Sequence, residues 1–382
     1  MRCRTLGKTG LTVGEIGMGC EGFVGKSAEE VRALVDEMDA LGVSCIDLYT
    51  PDPTLRTHLG AALQGRRGRF VLQAHLCTVW QDGQYKRTRE IGEVKAGFCD
   101  LLERLGTDSV EIGMIHYVDA VQDWRAVENG PIMAYAKELK AKGMIGCIGM
   151  SSHNPAAALA AVRSGLVDVV MFSINPLYDL MPPDEDCNAL FDAKSYDLPA
   201  LRMDPEREAL YETCQRMGVG ITVMKAFGGG DLLSAALSPA GRALTPYQCI
   251  HYALTRPAVA SVLAGAHTVQ ELRHCAGYET ARGEERDYAK VLAAMPKLRY
   301  EGHCMYCGHC APCPRGIDVA SVTKFLNLSR AQGAVPETVR EHYAALAHTA
   351  GECVGCGQCE QRCPFGVPVR ENMRRAQALF GR

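Results

Sequence analysis

Short runs of apolar and β-branched residues alternate, over about the first 280 positions, with longer segments whose apolar residues repeat at helical spacing. Each short run predicts a strand that a helix-like stretch follows. The predicted strands are Val13–Gly19, Val43–Leu48, Phe70–Leu76, Ser109–His116, Ile145–Met150, Val167–Ser173, Gly220–Lys225 and Ala258–Ala264. Eight successive β-α units favour a closed (β/α)8 barrel, because a doubly wound sheet commonly ends after about five or six strands.

Capping residues mark the starts of several of the predicted helices. Ser27 with Glu30, and Thr268 with Glu271, have the spacing of a capping box. Three more helices are predicted to begin with a capping residue before proline, and these are Asn154-Pro155, Asp204-Pro205 and Thr245-Pro246. The stretch from Asn175 to Asp204 is too long for an ordinary loop, and we expect a lid over the barrel, with a surface insertion as the alternative.

Composition limits the function classes. The chain has 382 residues, 47% of them hydrophobic and 22% charged, and a net charge of −3, so nothing favours binding to nucleic acid or to an anionic membrane. The N-terminus lacks the apolar segment of a signal peptide, and no apolar run is long enough to span a bilayer. We therefore expect a cytoplasmic protein.

Eight of the 18 cysteines crowd into residues 304–363. The first run is Cys304-x2-Cys307-x2-Cys310-x2-Cys313-Pro314, and the second is Cys353-x2-Cys356-x2-Cys359-x3-Cys363-Pro364. The second run matches the bacterial ferredoxin spacing, and the first is one residue shorter at its last gap. These runs predict two 4Fe-4S clusters. We expect the 284–382 segment to form a small helical ferredoxin-like domain behind a barrel of residues 1–283.

In two-cluster ferredoxins the fourth cysteine of each run binds the other cluster. This rule assigns Cys304, Cys307, Cys310 and Cys363 to one cluster, and Cys353, Cys356, Cys359 and Cys313 to the second. The alternative is a pair of zinc sites, but zinc sites favour separated Cys-x2-Cys pairs over four consecutive cysteines. Oxygen sensitivity and an anaerobic host would fit such clusters.

Several segments resemble aldo-keto reductases. Arg4–Val13 resembles the opening of that family, and Cys45-Ile46-Asp47 and Ser109–His116 resemble the strands that carry its catalytic aspartate and histidine. Ile148–Asn154 and Met224–Gly230 resemble a branch whose members have a ferredoxin-like C-terminal segment. The resemblance covers essentially the whole chain, and it implies an oxidoreductase that acts on a small molecule at the barrel mouth.

The family's catalytic tetrad is degenerate in this chain. The resemblance places the aspartate at Asp47 and the histidine at His116, but the proton-donating tyrosine falls on Asp52 and the lysine on His75. An ionised aspartate is a poor proton donor at neutral pH, whereas a histidine titrates there. We expect Asp47, His75 and His116 to move a proton, with Tyr49 as a candidate phenol. The alternative is an Asp52–His75 salt bridge.

Two further interpretations concern the strand ends. Cys20, His75, Cys77 and His116 could together hold a metal, although no local motif constrains their spacing. The resemblance implies NADP(H) near the eighth strand, where Gly265, His267 and Thr268 precede a helix. The other candidates for cofactor binding are Ser151, Ser152, Asn175, Lys225 and Gly228. A flavin is the less favoured alternative, because no motif supports it.

Three functions follow from the sequence. The first is an iron–sulfur oxidoreductase that receives electrons through its clusters from a redox partner such as ferredoxin or flavodoxin. The second is an NADPH-dependent carbonyl reductase with structural or sensing clusters. The third is a non-catalytic electron carrier or regulatory subunit, whose signature would be a barrel mouth without a pocket.

Overall fold

The strands of the structure lie in the N-terminal part of the chain. The computed structural model describes residues 1–180, 203–236, 238, 241–293, 302, 304, 306, 308–331, 334, 335 and 337–381. Its strands are β1 (Cys3–Thr5), β2 (Thr12–Gly14), β3 (Ile16–Gly19), β4 (Cys45–Leu48), β5 (Val71–Leu76), β6 (Thr78–Gln81), β7 (Gln84–Arg87), β8 (Val110–Ile115), β9 (Ile145–Ser152), β10 (Val169–Ser173), β11 (Gly220–Met224) and β12 (Val259–Ala264).

Helices follow the barrel strands and fill the C-terminal part. They are α1 (Ala28–Leu41), α2 (Pro53–Leu63), α3 (Ile91–Leu105), α4 (Val121–Glu128), α5 (Pro131–Ala141), α6 (Pro155–Ser164), α7 (Pro205–Met217), α8 (Pro246–Leu254), α9 (Val269–Ala276), α10 (Ala289–Ala293), α11 (Val319–Ala331), α12 (Glu337–Ala344), α13 (Gln358–Arg362) and α14 (Val369–Phe380).

Within the described residues, eight parallel strands close into a barrel in the order β3-β4-β5-β8-β9-β10-β11-β12. All eight strands predicted from the sequence are present, so the prediction of a (β/α)8 barrel is confirmed. The predicted helix starts are confirmed as well: Asn154, Asp204 and Thr245 each cap a helix that begins with proline, and Ser27 forms a capping box. These caps bond backbone amides that a helix start would otherwise leave without partners.

The β1–β2 hairpin closes the N-terminal end of the barrel. Its Leu6 and Val13 are fully buried and join an apolar cluster formed by inward-facing residues of the strands. Gly7 has φ of 55°, and an added Cβ would lie 2.4 Å from the amide nitrogen of Gly220, at the start of β11. Only glycine permits this close backbone approach. Because this end is sealed, the barrel opens only at the carboxyl ends of its strands.

A second hairpin, β6–β7, follows β5 immediately. Its turn residues Asp82 and Gly83 have φ of 52° and 76°, as in the tight turns that match strand twist. Val79 packs against Gly97 of α3, where an added Cβ would lie 2.8 Å from Val79 Cγ1. Lys86 Nζ donates to both carboxylate oxygens of Glu93 on the same helix, at 2.7 and 3.0 Å. The hairpin is therefore fixed by its outer face to α3.

The C-terminal segment is helical, and α11 packs against α14, α12 and the barrel helix α7. This agrees with the small helical domain expected for residues 284–382. Tyr306 lies under the guanidinium of Arg256, 5.4 Å from Cζ to ring centroid, and Asn327 donates to the Tyr306 hydroxyl at 3.0 Å. His309 Nε2 and Asp287 Oδ2 are 2.7 Å apart. Buried and polar contacts thus join the cysteine segment to the outer surface of the barrel.

Most of the expected lid, Asn175 to Asp204, lies outside the described residues. At its two described ends, the Asp204 amide donates to the Asp179 carbonyl at 2.8 Å. Among the helices that the structure describes, none has the length and apolar character needed to cross a membrane.

Candidate active site at the barrel mouth

The carboxyl ends of the strands surround a cavity of about 1030 Å³. All eight barrel strands contribute to its wall. The residues at or just beyond their ends are Gly19, Asp47, His75, His116, Ser151, Met171, Met224 and Leu263. This is the end of the barrel at which enzymes of this architecture carry their chemistry.

A chain of hydrogen bonds runs from the barrel interior to the cavity. Asp47 Oδ1 lies 2.8 Å from His75 Nε2. His75 Nδ1 lies 2.6 Å from His116 Nδ1, and His116 Nε2 lies 2.6 Å from the hydroxyl of Tyr85. Asp47, His75 and His116 are 1%, 2% and 8% exposed, whereas Tyr85 is 37% exposed at the rim. The three residues expected to move a proton are therefore in direct contact, and Tyr85 extends them to the surface.

Two uncharged side chains hold the inner end of this chain. Gln73 Nε2 donates to Asp47 Oδ1 at 2.9 Å, and Thr222 donates to Gln73 Oε1 at 2.8 Å. Gln73 and Thr222 are fully buried. Because Gln73 and His75 approach the same oxygen of Asp47, that oxygen accepts from both. His75 therefore presents Nε2–H to Asp47 and turns Nδ1 towards His116.

Burial sets the charge state of the outer part of the chain. The pKa of His116 lies well below its ordinary value, first because burial disfavours the imidazolium and second because His75 is adjacent. Burial raises the pKa of Tyr85 to about 12, against the opposing influence of Arg87. At neutral pH, His116 is therefore neutral and Tyr85 is a protonated phenol.

Asp52, at the family's tyrosine position, and Tyr49, the candidate phenol, have separate roles. Tyr49 lines the cavity, and its ring lies parallel to that of His116, with 6.2 Å between ring centroids. Asp52 is not part of the cavity wall. Its carboxylate accepts hydrogen bonds from the amides of Thr54 and Leu55 and thereby caps α2. His75 is paired with Asp47, so the alternative of an Asp52–His75 salt bridge is wrong.

Tyr85 was not among the residues proposed from the sequence, and neither were Gln73 and Arg87. The signal for Tyr85 was the Asp82-Gly83 pair between two short runs, which is a strong local sign of a hairpin. In β7, Tyr85 and Arg87 are two positions apart and therefore lie on one face of the hairpin. Both line the cavity, and the Arg87 guanidinium lies 3.8 Å from the ring centroid of Tyr117.

The residues proposed for nucleotide binding divide into two groups. Ser151, Lys225, Gly265 and His267 line the cavity. The others take part in structural hydrogen bonds or lie behind the wall, and these are Ser152 (to Asp119), Asn175 (to the Lys225 carbonyl), Thr268 (cap of α9) and Gly228.

Two backbone amides at the start of α9 already have acceptors within the chain. The Glu271 amide donates to Thr268 Oγ1 at 3.1 Å, and the His267 amide donates to Glu271 Oε2 at 2.7 Å. Glu271 also lines the cavity and brings a negative charge to this end. The Glu271 carboxylate and the two engaged amides make this helix start less favourable for a dinucleotide phosphate.

The metal site considered at the mouth lacks support in the structure. His75 and His116 are bonded to each other, and burial raises the pKa values of the Cys20 and Cys77 thiols, which keeps both neutral. Among the described residues, no three His, Cys, Asp or Glu side chains lie close enough to hold a single metal ion.

Four thiols meet in the C-terminal segment. Cys313 of the first run and Cys353, Cys356 and Cys359 of the second line one largely enclosed cavity. Four cysteines that line one cavity match, in number and residue type, the ligands of a 4Fe-4S cluster. This grouping is the one that the exchange of fourth cysteines between the runs predicts.

The opposite ends of the two runs also lie side by side. The Gly302 amide donates to the Phe365 carbonyl at 2.6 Å, which brings residues just before Cys304 beside those just after Cys363. Arg362 Nη2 donates to the Cys310 carbonyl at 2.8 Å. Cys307 lies outside the described residues. Cys304 lines a groove between α7, α11 and α14, and none of the described residues that line this groove also lines the mouth cavity.

Comparisons with known proteins match the two parts of the chain to two different families. Residues 15–242 match the Aldo/keto reductase family, and residues 301–367 match the 4Fe-4S dicluster domain. The first match spans more than half of the chain, and the second spans both cysteine runs. The expected association of these two parts is therefore confirmed.

Individual relatives agree with this division. The uncharacterized oxidoreductase YqkF of Bacillus subtilis is 25% identical over 319 residues, which are 79% of this chain and 99% of YqkF. The aldo-keto reductase AKR11C1 of Bacillus halodurans in its holo form superposes with a TM-score of 0.58 and 23% identity. The superposition covers 75% of this chain and 94% of that one, and the apo form gives 0.52. These structures establish the shared fold.

Proposed function

The chain belongs to the aldo/keto reductase family and is an oxidoreductase, and from this premise we propose that it reduces a small organic substrate at the barrel mouth with electrons that pass through iron–sulfur clusters. A redox protein such as ferredoxin or flavodoxin would supply those electrons. The substrate carries a group, such as a carbonyl, whose oxygen gains a proton as the group is reduced.

The observation that carries the proposal is the buried Asp47–His75–His116 chain opening into a large cavity. A negative carboxylate at its inner end stabilises an imidazolium on His75, because the two groups form a charge-assisted hydrogen bond. His116 stays neutral because burial lowers its pKa. The chain can therefore hold one extra proton at His75 and release it outward through His116.

The proton transfer follows from the donors and acceptors at each nitrogen. In the charged state His75 donates from Nε2 to Asp47 and from Nδ1 to His116 Nδ1, so His116 carries its proton on Nε2. When His116 gives up its Nε2 proton, it takes the Nδ1 proton of His75. His75 is left neutral with Nε2–H on Asp47, and one proton has moved from His75 to the cavity.

The cysteine segment supports the second half of the proposal. We propose two 4Fe-4S clusters, one held by Cys313, Cys353, Cys356 and Cys359 and the other by Cys304, Cys307, Cys310 and Cys363. When bound, such clusters supply electrons one at a time. The enclosed cavity shared by the first four thiols and the contact between Gly302 and Phe365 both support this pairing.

The two competing functions have less support. An NADPH-dependent reductase would need phosphate donors at the start of α9, where two amides are bonded to Thr268 and Glu271 and the Glu271 carboxylate would repel a phosphate. We therefore derive no step from a nicotinamide. A non-catalytic subunit would have no use for a cavity of about 1030 Å³ with a proton relay at its wall.

The proposal is tested with anaerobically purified, cluster-loaded protein and reduced methyl viologen as the electron donor. A panel of aldehydes, ketones and 2-oxo acids is offered, and oxidation of the viologen is followed by absorbance. We expect oxidation that depends on substrate with at least one member, and none with NADPH as the only donor. Substrate-dependent oxidation of NADPH at a comparable rate would contradict the proposal.

The relay is tested in the same assay with the double variant His75→Gln/His116→Gln. We expect kcat to fall by about 10²–10⁴-fold, the range typical of lost acid–base catalysis. His274→Gln is the matched control, because His274 is exposed on α9 and stacks on Tyr247, away from the cavity. Full activity in the double variant would remove the catalytic assignment.

A further inference from the structure

The relay ends at a phenol that belongs to no strand of the barrel. We propose that Tyr85, on the β6–β7 hairpin, is the catalytic residue that donates the proton to the substrate. This inference rests on the proposed function. It assigns to the hairpin the chemical role that the family's tyrosine position, Asp52, does not fill in this chain.

The hairpin places Tyr85 by dividing its two faces between α3 and the cavity. Val79 and Lys86 face α3, where they contact Gly97 and Glu93. Tyr85 pairs across the hairpin with Trp80, and strand alternation turns it to the face opposite Lys86. The hairpin is therefore anchored by one face while the other holds a phenol at the cavity wall.

Tyr85 is surrounded by groups suited to a proton donor. Its hydroxyl lies 2.6 Å from His116 Nε2, and its ring meets Tyr49 edge to face, with 6.4 Å between centroids. Arg87 on the same strand, with Arg89 beyond it, opposes the rise in its pKa, whereas Tyr117 adds to it. Because Tyr85 occupies His116 Nε2, a proton leaving the relay reaches the cavity through this phenol.

The proton balance is as follows. In the charged state His116 donates its Nε2–H to the Tyr85 oxygen, so the Tyr85 O–H points to the substrate. As two electrons reach a substrate carbonyl, its C=O π bond opens and its oxygen takes the Tyr85 proton, so that an O–H bond forms as the Tyr85 O–H bond breaks. The carbonyl carbon takes the second proton from water in the cavity. The Tyr85 oxygen recovers a proton from His116 Nε2, and His116 recovers one at Nδ1 from His75 Nδ1. His75 is left as a neutral imidazole, and Tyr85 is again a neutral phenol.

The first test is Tyr85→Phe in the viologen assay, with the best substrate of the panel. We expect kcat to fall by about 10²–10⁴-fold while KM changes little, because the phenyl ring keeps the cavity wall and loses only the hydroxyl. Tyr247→Phe is the matched control, since Tyr247 lies on α8 and stacks on His274. Circular dichroism and iron content establish that both variants fold and load clusters.

A second test distinguishes donation from positioning. Replacement of Tyr85 by 3-fluorotyrosine keeps the shape and lowers the pKa of the phenol. The donor must be protonated, so activity is lost as pH rises through the pKa of residue 85. We expect the alkaline limb of the kcat/KM profile, which reports the free enzyme, to move to lower pH, with the same midpoint as the phenolate absorbance measured without substrate. Tyr49 and Arg87 face this phenol and are left unchanged.

The outcomes separate the two proposals. If the wild-type protein turns over no member of the panel, the proposed function fails. If the wild type is active and Tyr85→Phe retains its kcat, the function stands and the role of Tyr85 is wrong. An alkaline limb that does not move with the fluorinated residue would also overturn it, because a structural tyrosine would leave that limb in place.

Discussion

Replacing Asp47 by asparagine would remove one charge from the relay while leaving its hydrogen-bond geometry in place. Gln73 and His75 both donate to Asp47 Oδ1. An asparagine must keep its carbonyl oxygen at that position, because its NH2 group would face the Gln73 donor. His75 therefore retains Nε2–H and its orientation, and only the negative charge that stabilises its imidazolium is lost.

The size of the effect follows from the change in that hydrogen bond. A bond to a charged partner contributes about 1.5–3 kcal/mol, and a bond between neutral groups about 0.5–1.5 kcal/mol. The difference, about 1–1.5 kcal/mol, lowers the population of the charged relay about five- to twelvefold. We expect kcat to fall by at least this factor, because only the charged relay can donate.

The assay is viologen-linked turnover of Asp47→Asn beside Asp52→Asn. Asp52 caps α2, and asparagine is an equally good cap, so this control removes a nearby carboxylate at little cost in stability. We expect the control to keep wild-type kcat. An Asp47→Asn enzyme within twofold of wild type would refute the reasoning, and so would an equal loss in both variants.

Three further predictions concern other parts of the chain. Burial lowers the pKa of His251 to about 4, so below its ordinary value of about 6.5 only the unfolded state gains a proton there, and stability falls with falling pH. Measured by denaturant unfolding, the free energy of unfolding of His251→Gln should therefore fall by about 2 kcal/mol less than that of the wild type between pH 7 and pH 5. Cys356→Ser should lose about half of the iron and of the spin signal of the reduced protein, whereas Cys99→Ser, an exposed cysteine of α3, should lose neither. Fluorescence titration with NADPH should show no saturation at micromolar concentrations, and saturable binding with hydride transfer would favour a nicotinamide-dependent reductase.

The barrel could be predicted because its sequence repeats one local pattern eight times. Each strand is a short apolar run, and capping residues such as Asn154 and Thr245 mark the helices between runs. The iron–sulfur ligands could also be predicted from the cysteine runs, since ligand spacing is a local property of the sequence. Residues at strand ends could be placed at the mouth from the architecture alone, and this placed His75 beside His116.

Contacts that depend on side-chain direction could not be read in the same way. Ser152 and Asn175 occupy strand ends, but both turn into structural hydrogen bonds. The hydrogen bond between Tyr85 and His116 joins residues 31 positions apart and depends on how the hairpin packs against α3. The Asp82-Gly83 pair is a sequence signal for a hairpin, but nothing in its local pattern fixes which barrel residue the hairpin reaches.

The inner end of the hydrogen-bond chain has a consequence for the timing of the reaction. Thr222 and Gln73 do not ionise near neutral pH, and both are buried, so no proton enters from the sealed end of the barrel. In the proposed mechanism, protons are loaded and discharged through one opening, at Tyr85, where the bound substrate would lie. The relay thus takes up a proton between turnovers and delivers one proton to each substrate molecule. The hydrogen that a carbonyl carbon gains must come from elsewhere in the cavity.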